Sequence, residues 1–170
     1  MEIREWLETN TFPEEEKYRD LEYAKKAYKI FVDNLRKGAT TRACIFATVH
    51  RKATLHLMDI LEISGLRTMV GKVNMDRNCP DYLREGTQES ADETIEWMKD
   101  VQHNKYKKTQ AILTPRFIPS CTDELMDMLK RIQMRYQIPV QSHLSENFSE
   151  IAWVQELCPE SEFYGDAYDR

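Results

Sequence analysis

The chain has 170 residues, 41% of them hydrophobic and 31% charged, and its 24 basic and 29 acidic residues give a formal net charge of −5. This is the composition of a packed globular domain, and an acidic balance without a Lys/Arg cluster argues against nucleic acid as a partner. No stretch approaches the ~18 to 20 apolar residues of a membrane-spanning helix, so we expect a cytoplasmic protein with no membrane partner.

The first predicted elements are a helix, a strand and a second helix. Over residues 14–37, apolar side chains recur at three- and four-residue steps, and Gly38 follows them as a helix stop. A short apolar run at 42–49, rich in β-branched and aromatic residues, predicts a strand buried on both faces. The helical face that comes next ends at Gly65.

The alternation of strand and helix continues along the rest of the chain. Strands are predicted over 67–73, 110–114 and 138–142, and an amphipathic helix follows each of them. Asn147, with Glu150 three residues later, can cap the last helix. Four strand–helix units after one leading helix are typical of a parallel α/β domain.

Polar side chains follow each of the predicted strands. Residues that come directly after parallel strands share one edge of the sheet, which is where such sheets bind ligands. We therefore predict a site at this edge, built from His50, 74–76, 116–117 and 143–146.

Two pairs of residues at this edge could carry chemistry. His143 and Glu146 can face one pocket as a metal-binding imidazole and a carboxylate. The alternative is that His143 only donates a hydrogen bond within the core, and that Glu146 belongs to a helix N-terminus, where the helix dipole favours a carboxylate. Arg116 and Phe117 combine a planar donor fork with an aromatic face, which suits a planar ligand such as a nucleobase; the alternative is a solvated arginine.

Other polar positions are assigned more ordinary roles. We expect Lys72 to turn its ammonium group out of the strand end rather than to lie buried with a shifted pKa. Residues 77–88 hold carboxylates but no histidine, so we interpret them as an ordinary polar loop. His50 is a candidate pocket residue. Signatures of dinucleotide, P-loop, serine-hydrolase, zincin and cytidine-deaminase sites are absent from the sequence.

Five segments together carry a more specific signal than any one of them alone. They are Trp-Leu-Glu-Thr-Asn-Thr-Phe-Pro-Glu (6–14), Phe-Ala-Thr-Val-His (46–50), Val-Gly-Lys-Val-Asn-Met-Asp (70–76), Thr-Pro-Arg-Phe (114–117) and Gln-Ser-His-Leu-Ser-Glu-Asn (141–147). By these motifs the chain resembles the guanine deaminase family of the amidohydrolase superfamily, in its bacterial form. The likeness runs over nearly the whole chain.

The resemblance implies both a fold and an activity. It implies a (β/α)8 barrel, with strands side by side in sequence order and helices on one face, that uses zinc to hydrolyse guanine to xanthine and ammonia. It further implies that His143 is a zinc ligand, that Glu146 shuttles protons, and that Arg116 and Phe117 hold the purine. A homodimer is expected for the complete enzyme.

The chain also departs from the family pattern. Residues 1–170 match a single partial barrel, a leading helix plus four βα units, without the family's first-strand His-x-His or its later His and Asp ligands. One imidazole cannot hold catalytic zinc, which needs three or more protein ligands, so we expect the chain alone to be inactive. It is either a segment of a longer polypeptide or a truncation. Two alternatives stay open. The first is an amidohydrolase that acts on another purine, a pterin or a triazine. The second is a non-catalytic module.

Overall fold

The computed structural model describes residues 3–169, which form helices packed against parallel strands. The helices are α1 (Ile3–Trp6), α2 (Phe12–Glu16), α3 (Leu21–Lys37), α4 (Arg51–Glu62), α5 (Thr87–Asn104), α6 (Asp123–Tyr136) and α7 (Phe148–Leu157). A π-helical turn (Leu7–Thr11) joins α1 to α2, and short 3-10 helices lie at Lys17–Arg19, Ile118–Ser120 and Tyr164–Tyr168. In this part of the chain, none of the helices has the length and apolarity needed to span a membrane.

The leading helix is shorter than the sequence predicts. A single helix over 14–37 is wrong, because Asp20 is extended and its carboxylate accepts a hydrogen bond from the Glu22 amide at 2.9 Å. This N-cap starts α3 at Leu21, and the preceding residues form α2 and a 3-10 turn instead. The amphipathic face expected of α3 packs on α4 through buried residues such as Tyr28.

The strands are parallel and lie in sequence order, as predicted. They are β1 (Arg42–Phe46), β2 (Arg67–Gly71), β3 (Val73–Asn74), β4 (Thr109–Ala111) and β5 (Thr114–Pro115). One sheet has the strand order β1-β2-β4, and β3 pairs with β5 in a second, two-stranded sheet. Helices cover the sheet through a core that includes Ile45, Val70 and Trp97. The prediction of parallel α/β units is confirmed.

The two predicted middle strands are interrupted, and Gly71 explains where. A Cβ at this residue would lie 1.6 Å from Thr114 Oγ1 and 2.5 Å from the Ile112 carbonyl oxygen, so only glycine fits. The pairing resumes without a change of register, since Val70–Ala111 and Val73–Thr114 are both 41 positions apart. Each middle strand therefore continues past a local kink and delivers its end residues to the sheet edge.

The fourth predicted strand, over 138–142, does not form as a strand. It reduces to one parallel bridge between Leu113 and Val140, in which the Leu113 amide donates to the Pro139 carbonyl at 2.9 Å. Proline has no N–H group, so Pro115 cannot donate the next ladder bond. The segment nevertheless lies beside the third strand, as predicted, and carries Ser142 and His143 to the same edge.

Candidate active site

All four residues that the sequence predicts as catalytic, metal-binding or substrate-binding line one pocket. It has a volume of about 230 Å³ and is lined by Ile3, Trp6, Leu7, Thr11, Arg116, Phe117, His143 and Glu146. Half of the lining residues lie between Ile3 and Thr11, before the first strand. Their place in the pocket cannot be predicted from the positions of the strand ends. The only sequence signal for that half is the motif at 6–14.

Arg116 lies at the end of β5 and is buried rather than solvated. Its side chain is 9% exposed, and its Nη2 atom forms an ion pair with the Glu15 carboxylate. The guanidinium carbon lies 5.5 Å from the centre of the Phe12 ring. Within residues 3–169 the buried Nε atom has no hydrogen-bond partner. The guanidinium is therefore held at the pocket wall with a donor left over.

Phe117 follows in extended backbone and is almost fully buried. Its ring meets Trp153 of α7 edge to face, with centroids 5.8 Å apart and planes at 81°. The Arg4 guanidinium lies over the same Trp153 ring, 3.9 Å from its centre. Packing on several elements fixes the Phe117 ring, so its orientation does not depend on a ligand.

His143 is anchored so that one ring nitrogen is left for a ligand. Its Nδ1 lies 2.8 Å from the Arg116 carbonyl oxygen, which also accepts a bond from the His143 amide at 3.2 Å. Its ring packs on Phe46 with centroids 4.4 Å apart. With Nδ1–H donating to the carbonyl, the lone pair is on Nε2, the arrangement that metal-binding histidines use.

Glu146 begins the turn that leads into α7, and its side chain is exposed at the pocket. Ser145, directly before it, has a left-handed φ of 55°. The Glu146 amide donates to Glu150 Oε2 at 2.6 Å, and Asn147 caps α7 by accepting from the Glu150 amide at 2.9 Å. The predicted cap is confirmed. The backbone of Glu146 is therefore fixed while its side chain stays exposed at the pocket.

A pair of tyrosines braces this loop from the C-terminal 3-10 helix. Tyr168 donates to the His143 carbonyl oxygen at 2.6 Å, and Tyr164 donates to Oε1 of the fully buried Glu150 at 2.6 Å. Burial, with the Glu150 carboxylate as the next cause, raises the pKa of Tyr164 above its ordinary value. Burial also raises the pKa of Tyr168 to about 12. Both phenols therefore remain protonated donors at neutral pH.

The expectation for Lys72 is wrong. Its side chain is fully buried, and Nζ donates to Glu85 Oε1 at 2.6 Å and to the Val73 carbonyl at 3.3 Å. Ser90 donates to the second oxygen of Glu85 at 2.6 Å. The ammonium group of Lys72 therefore stays inside the protein, paired with Glu85, and does not leave the strand end.

The segment 77–88 is likewise more than an ordinary polar loop. It buries Leu83 and supplies the Glu85 carboxylate that compensates Lys72. Burial raises the pKa of the Glu85 carboxyl, and the Lys72 charge opposes that change. The sequence pattern was tested only for metal ligands, and it does not reveal that Glu85 forms an ion pair with the buried Lys72.

The other strand-end histidine, His50, lies outside the pocket of His143. It lines a separate hollow of about 420 Å³ with Arg19 and Glu89 among others. Burial, helped by the charges of Arg19 and Lys72, lowers the pKa of His50 to about 4. Among residues 3–169, no three His, Cys, Asp or Glu side chains are grouped as a metal site would require. His143 fits one corner of such a site through its free Nε2.

Comparison with known proteins defines the class of this chain. The amidohydrolase family model matches residues 1–170, so the chain belongs to the amidohydrolase family. A triazine hydrolase from Arthobacter aurescens shares the fold, with a TM-score of 0.77 at 14% identity. The structural match covers 99% of this chain and 40% of the triazine hydrolase. The chain accordingly folds as part of a TIM-type barrel.

Within this family, the guanine deaminases are similar along nearly the whole chain. The enzyme of Dictyostelium discoideum is 42% identical over 98% of this chain, and that of Escherichia coli K12 is 38% identical over 98%. A guanine deaminase from C. acetobutylicum, solved with guanine in its active site, is 48% identical with a TM-score of 0.94 over 99% of this chain. The chain spans only 37%, 38% and 40% of these three proteins respectively.

Proposed function

We propose that this chain supplies the purine-holding wall and part of the metal site of a guanine deaminase, which hydrolyses guanine to xanthine and ammonia. The observation that carries the proposal is the single pocket lined by Arg116, Phe117, His143 and Glu146. The likeness to guanine deaminases over nearly the whole chain supports the choice of substrate. The resemblance is also the support for a cytoplasmic homodimer.

Arg116 and Phe117 act on the purine before any bond changes. The buried Phe117 ring, locked by Trp153, offers a fixed aromatic surface to a flat base. Arg116 donates to the carbonyl edge of the base, and this pair of contacts directs the amino-bearing carbon towards His143 and Glu146. Because both side chains are held by the protein, little orientation entropy remains to be lost on binding.

Zinc is the metal we propose, with His143 Nε2 as one ligand and further ligands from outside residues 3–169. When bound, it supplies an acidified water molecule, with a pKa lowered from ~15.7 toward ~7. Glu146 would accept one proton of the attacking water and pass it to the ring nitrogen while the water oxygen bonds to the amino-bearing carbon. It would then pass the second proton of that oxygen to the amino group, which leaves as ammonia when the C–N bond breaks. The exposed carboxylate on a fixed backbone suits a group that must accept and release a proton in each cycle.

A chimera tests this proposal directly. This chain replaces the matching 40% of the guanine deaminase from C. acetobutylicum, and the product is assayed for xanthine by absorbance and for zinc by metal analysis. We expect stoichiometric zinc and turnover of guanine. The isolated chain is the control and should form no xanthine, because residues 3–169 hold no full set of metal ligands.

A substrate panel separates this function from the alternatives. The chimera is given guanine, adenine, a pterin and a triazine under identical conditions. Hydrolysis of guanine alone supports the proposal, whereas preference for another ring would assign the chain to a different amidohydrolase. A folded, zinc-loaded chimera with no activity on any of them would support a non-catalytic module.

A further inference from the structure

Glu15 is a buried carboxylate beside the pocket that the mechanism above does not use. It lies on α2, is 6% exposed, and is 101 residues away from its partner Arg116 in sequence. Its Oε2 atom contacts Arg116 Nη2, and its Oε1 accepts a hydrogen bond from the Val49 amide at 3.1 Å. The carboxylate is therefore fixed at the end of β1 and cannot swing away from the guanidinium.

This contact changes what the guanidinium can recognise. An uncompensated arginine in a buried pocket attracts carboxylates and phosphates, the ligands that its donor fork matches. Glu15 neutralises that charge while occupying only part of the fork, since Nε stays without a partner among residues 3–169. Glu146, at the rim of the same pocket, adds a further negative charge. The remaining donors suit a neutral carbonyl group.

We propose that Glu15 is a specificity-determining residue that makes the Arg116 wall select neutral, carbonyl-bearing ring ligands over anionic ones. The inference rests on the proposed function and deepens it by naming the charge state of the preferred ligand. Glu15 acts through Arg116 and is a positioning residue, not a catalytic one.

A second buried ion pair provides a matched control. Lys72 and Glu85 form an equally enclosed pair, but neither of them lines the pocket that holds Arg116. Glu15→Gln and Glu85→Gln each leave a buried cation without its carboxylate, a change that costs stability in both cases. Only Glu15→Gln should change the ligand preference.

Equilibrium binding to the zinc-loaded chimera, measured by calorimetry, tests the proposal without requiring turnover. The probes are hypoxanthine, a neutral carbonyl purine, and urate, an anionic one. The parent should prefer hypoxanthine, and Glu15→Gln should shift the ratio of dissociation constants towards urate by about tenfold or more. Glu85→Gln should keep the parent ratio.

An unchanged ratio in folded Glu15→Gln, or an equal shift in Glu85→Gln, would overturn the proposal. Should Glu15→Gln fail to fold, Arg116→Gln tests the same charge balance. It leaves the Glu15 carboxylate uncompensated, so urate binding must weaken more than hypoxanthine binding; equal weakening would also overturn the proposal. A parent that binds both purines but forms no xanthine would count against the proposed function and leave this test valid.

Discussion

The two walls of the pocket are built in opposite ways. Arg116 and Phe117 are buried and held by side chains from elements distant in sequence, Glu15 and Trp153. His143 is half-buried and Glu146 exposed; the Nδ1 atom of His143 is anchored at the Arg116 carbonyl and the amide of Glu146 at Glu150, which leaves His143 Nε2 and the Glu146 carboxylate as the reactive groups of this second wall. The difference matches the two proposed tasks, because a binding wall gains from fixed side chains, whereas metal binding needs a free ligand atom on an oriented ring and proton transfer needs an accessible carboxylate.

The largest effect is expected on the wall formed by His143 and Glu146. In the chimera, Glu146→Gln should retain zinc and guanine binding but reduce kcat by ~100-fold to 10,000-fold, since the amide keeps the shape and loses proton transfer. Metal analysis and steady-state xanthine formation measure the two properties separately. Activity within a few-fold of the parent would remove Glu146 from the proton path.

On the binding wall, Phe117→Ala should mainly weaken guanine binding. Loss of the stacking surface predicts a cost of ~1 to 3 kcal/mol, with zinc content unchanged. Phe148→Ala is the matched control, because that ring is 91% exposed and does not line the pocket. Equal guanine affinity in both variants would place the purine away from Phe117.

A smaller effect, on zinc affinity, is expected from the hydrogen bond that Tyr168 donates to the His143 carbonyl. Tyr168→Phe removes the donor to the His143 carbonyl and should lower zinc affinity by about tenfold, as loss of outer-shell partners does. Competition with a chelator measures the change. Tyr82→Phe, at a half-exposed tyrosine outside the pocket lining, serves as control. Unaltered zinc affinity in Tyr168→Phe would show that the brace does not act on the metal ligand.

The smallest effect concerns stability and pH at His50, away from both walls. Its folded pKa of about 4 lies below its ordinary value of 6.5, so between these values the unfolded chain binds more protons. Stability should therefore fall as the pH drops from 6.5 to 4, by about 1 kcal/mol after discounting for solvent screening. Urea denaturation of the chain compared with His50→Gln measures this, and identical pH slopes would contradict the assigned shift.

The sequence predicts local elements well and distant contacts poorly. Apolar periodicity predicts α3 and α5, and strand order follows from repeated βα units. The kink at Gly71 is not predictable in this way, because it depends on a Thr114 side chain from another strand. Residues before α3 read as a plain helix because periodicity does not reveal the Asp20 cap.

The same limit applies to the candidate site. Strand-end position and residue chemistry are enough to single out Arg116 and His143, since a parallel sheet gathers such positions at one edge. Glu15 could not be found this way, because its carboxylate reaches Arg116 across 101 residues and belongs to no strand end. Lys72 was misjudged for a related reason, since its partner Glu85 lies in a segment without regular structure.

We propose that the buried wall holds the purine while the wall of His143 and Glu146 supplies the chemistry. A crystal structure of the chimera carrying Glu146→Gln, soaked with guanine, tests it most directly. We expect the base to stack on Phe117, with its carbonyl oxygen within hydrogen-bond distance of Arg116 and its amino-bearing carbon on the side of His143 and residue 146. Guanine bound away from Arg116 and Phe117, or turned so that the amino-bearing carbon faces Arg116, would contradict it.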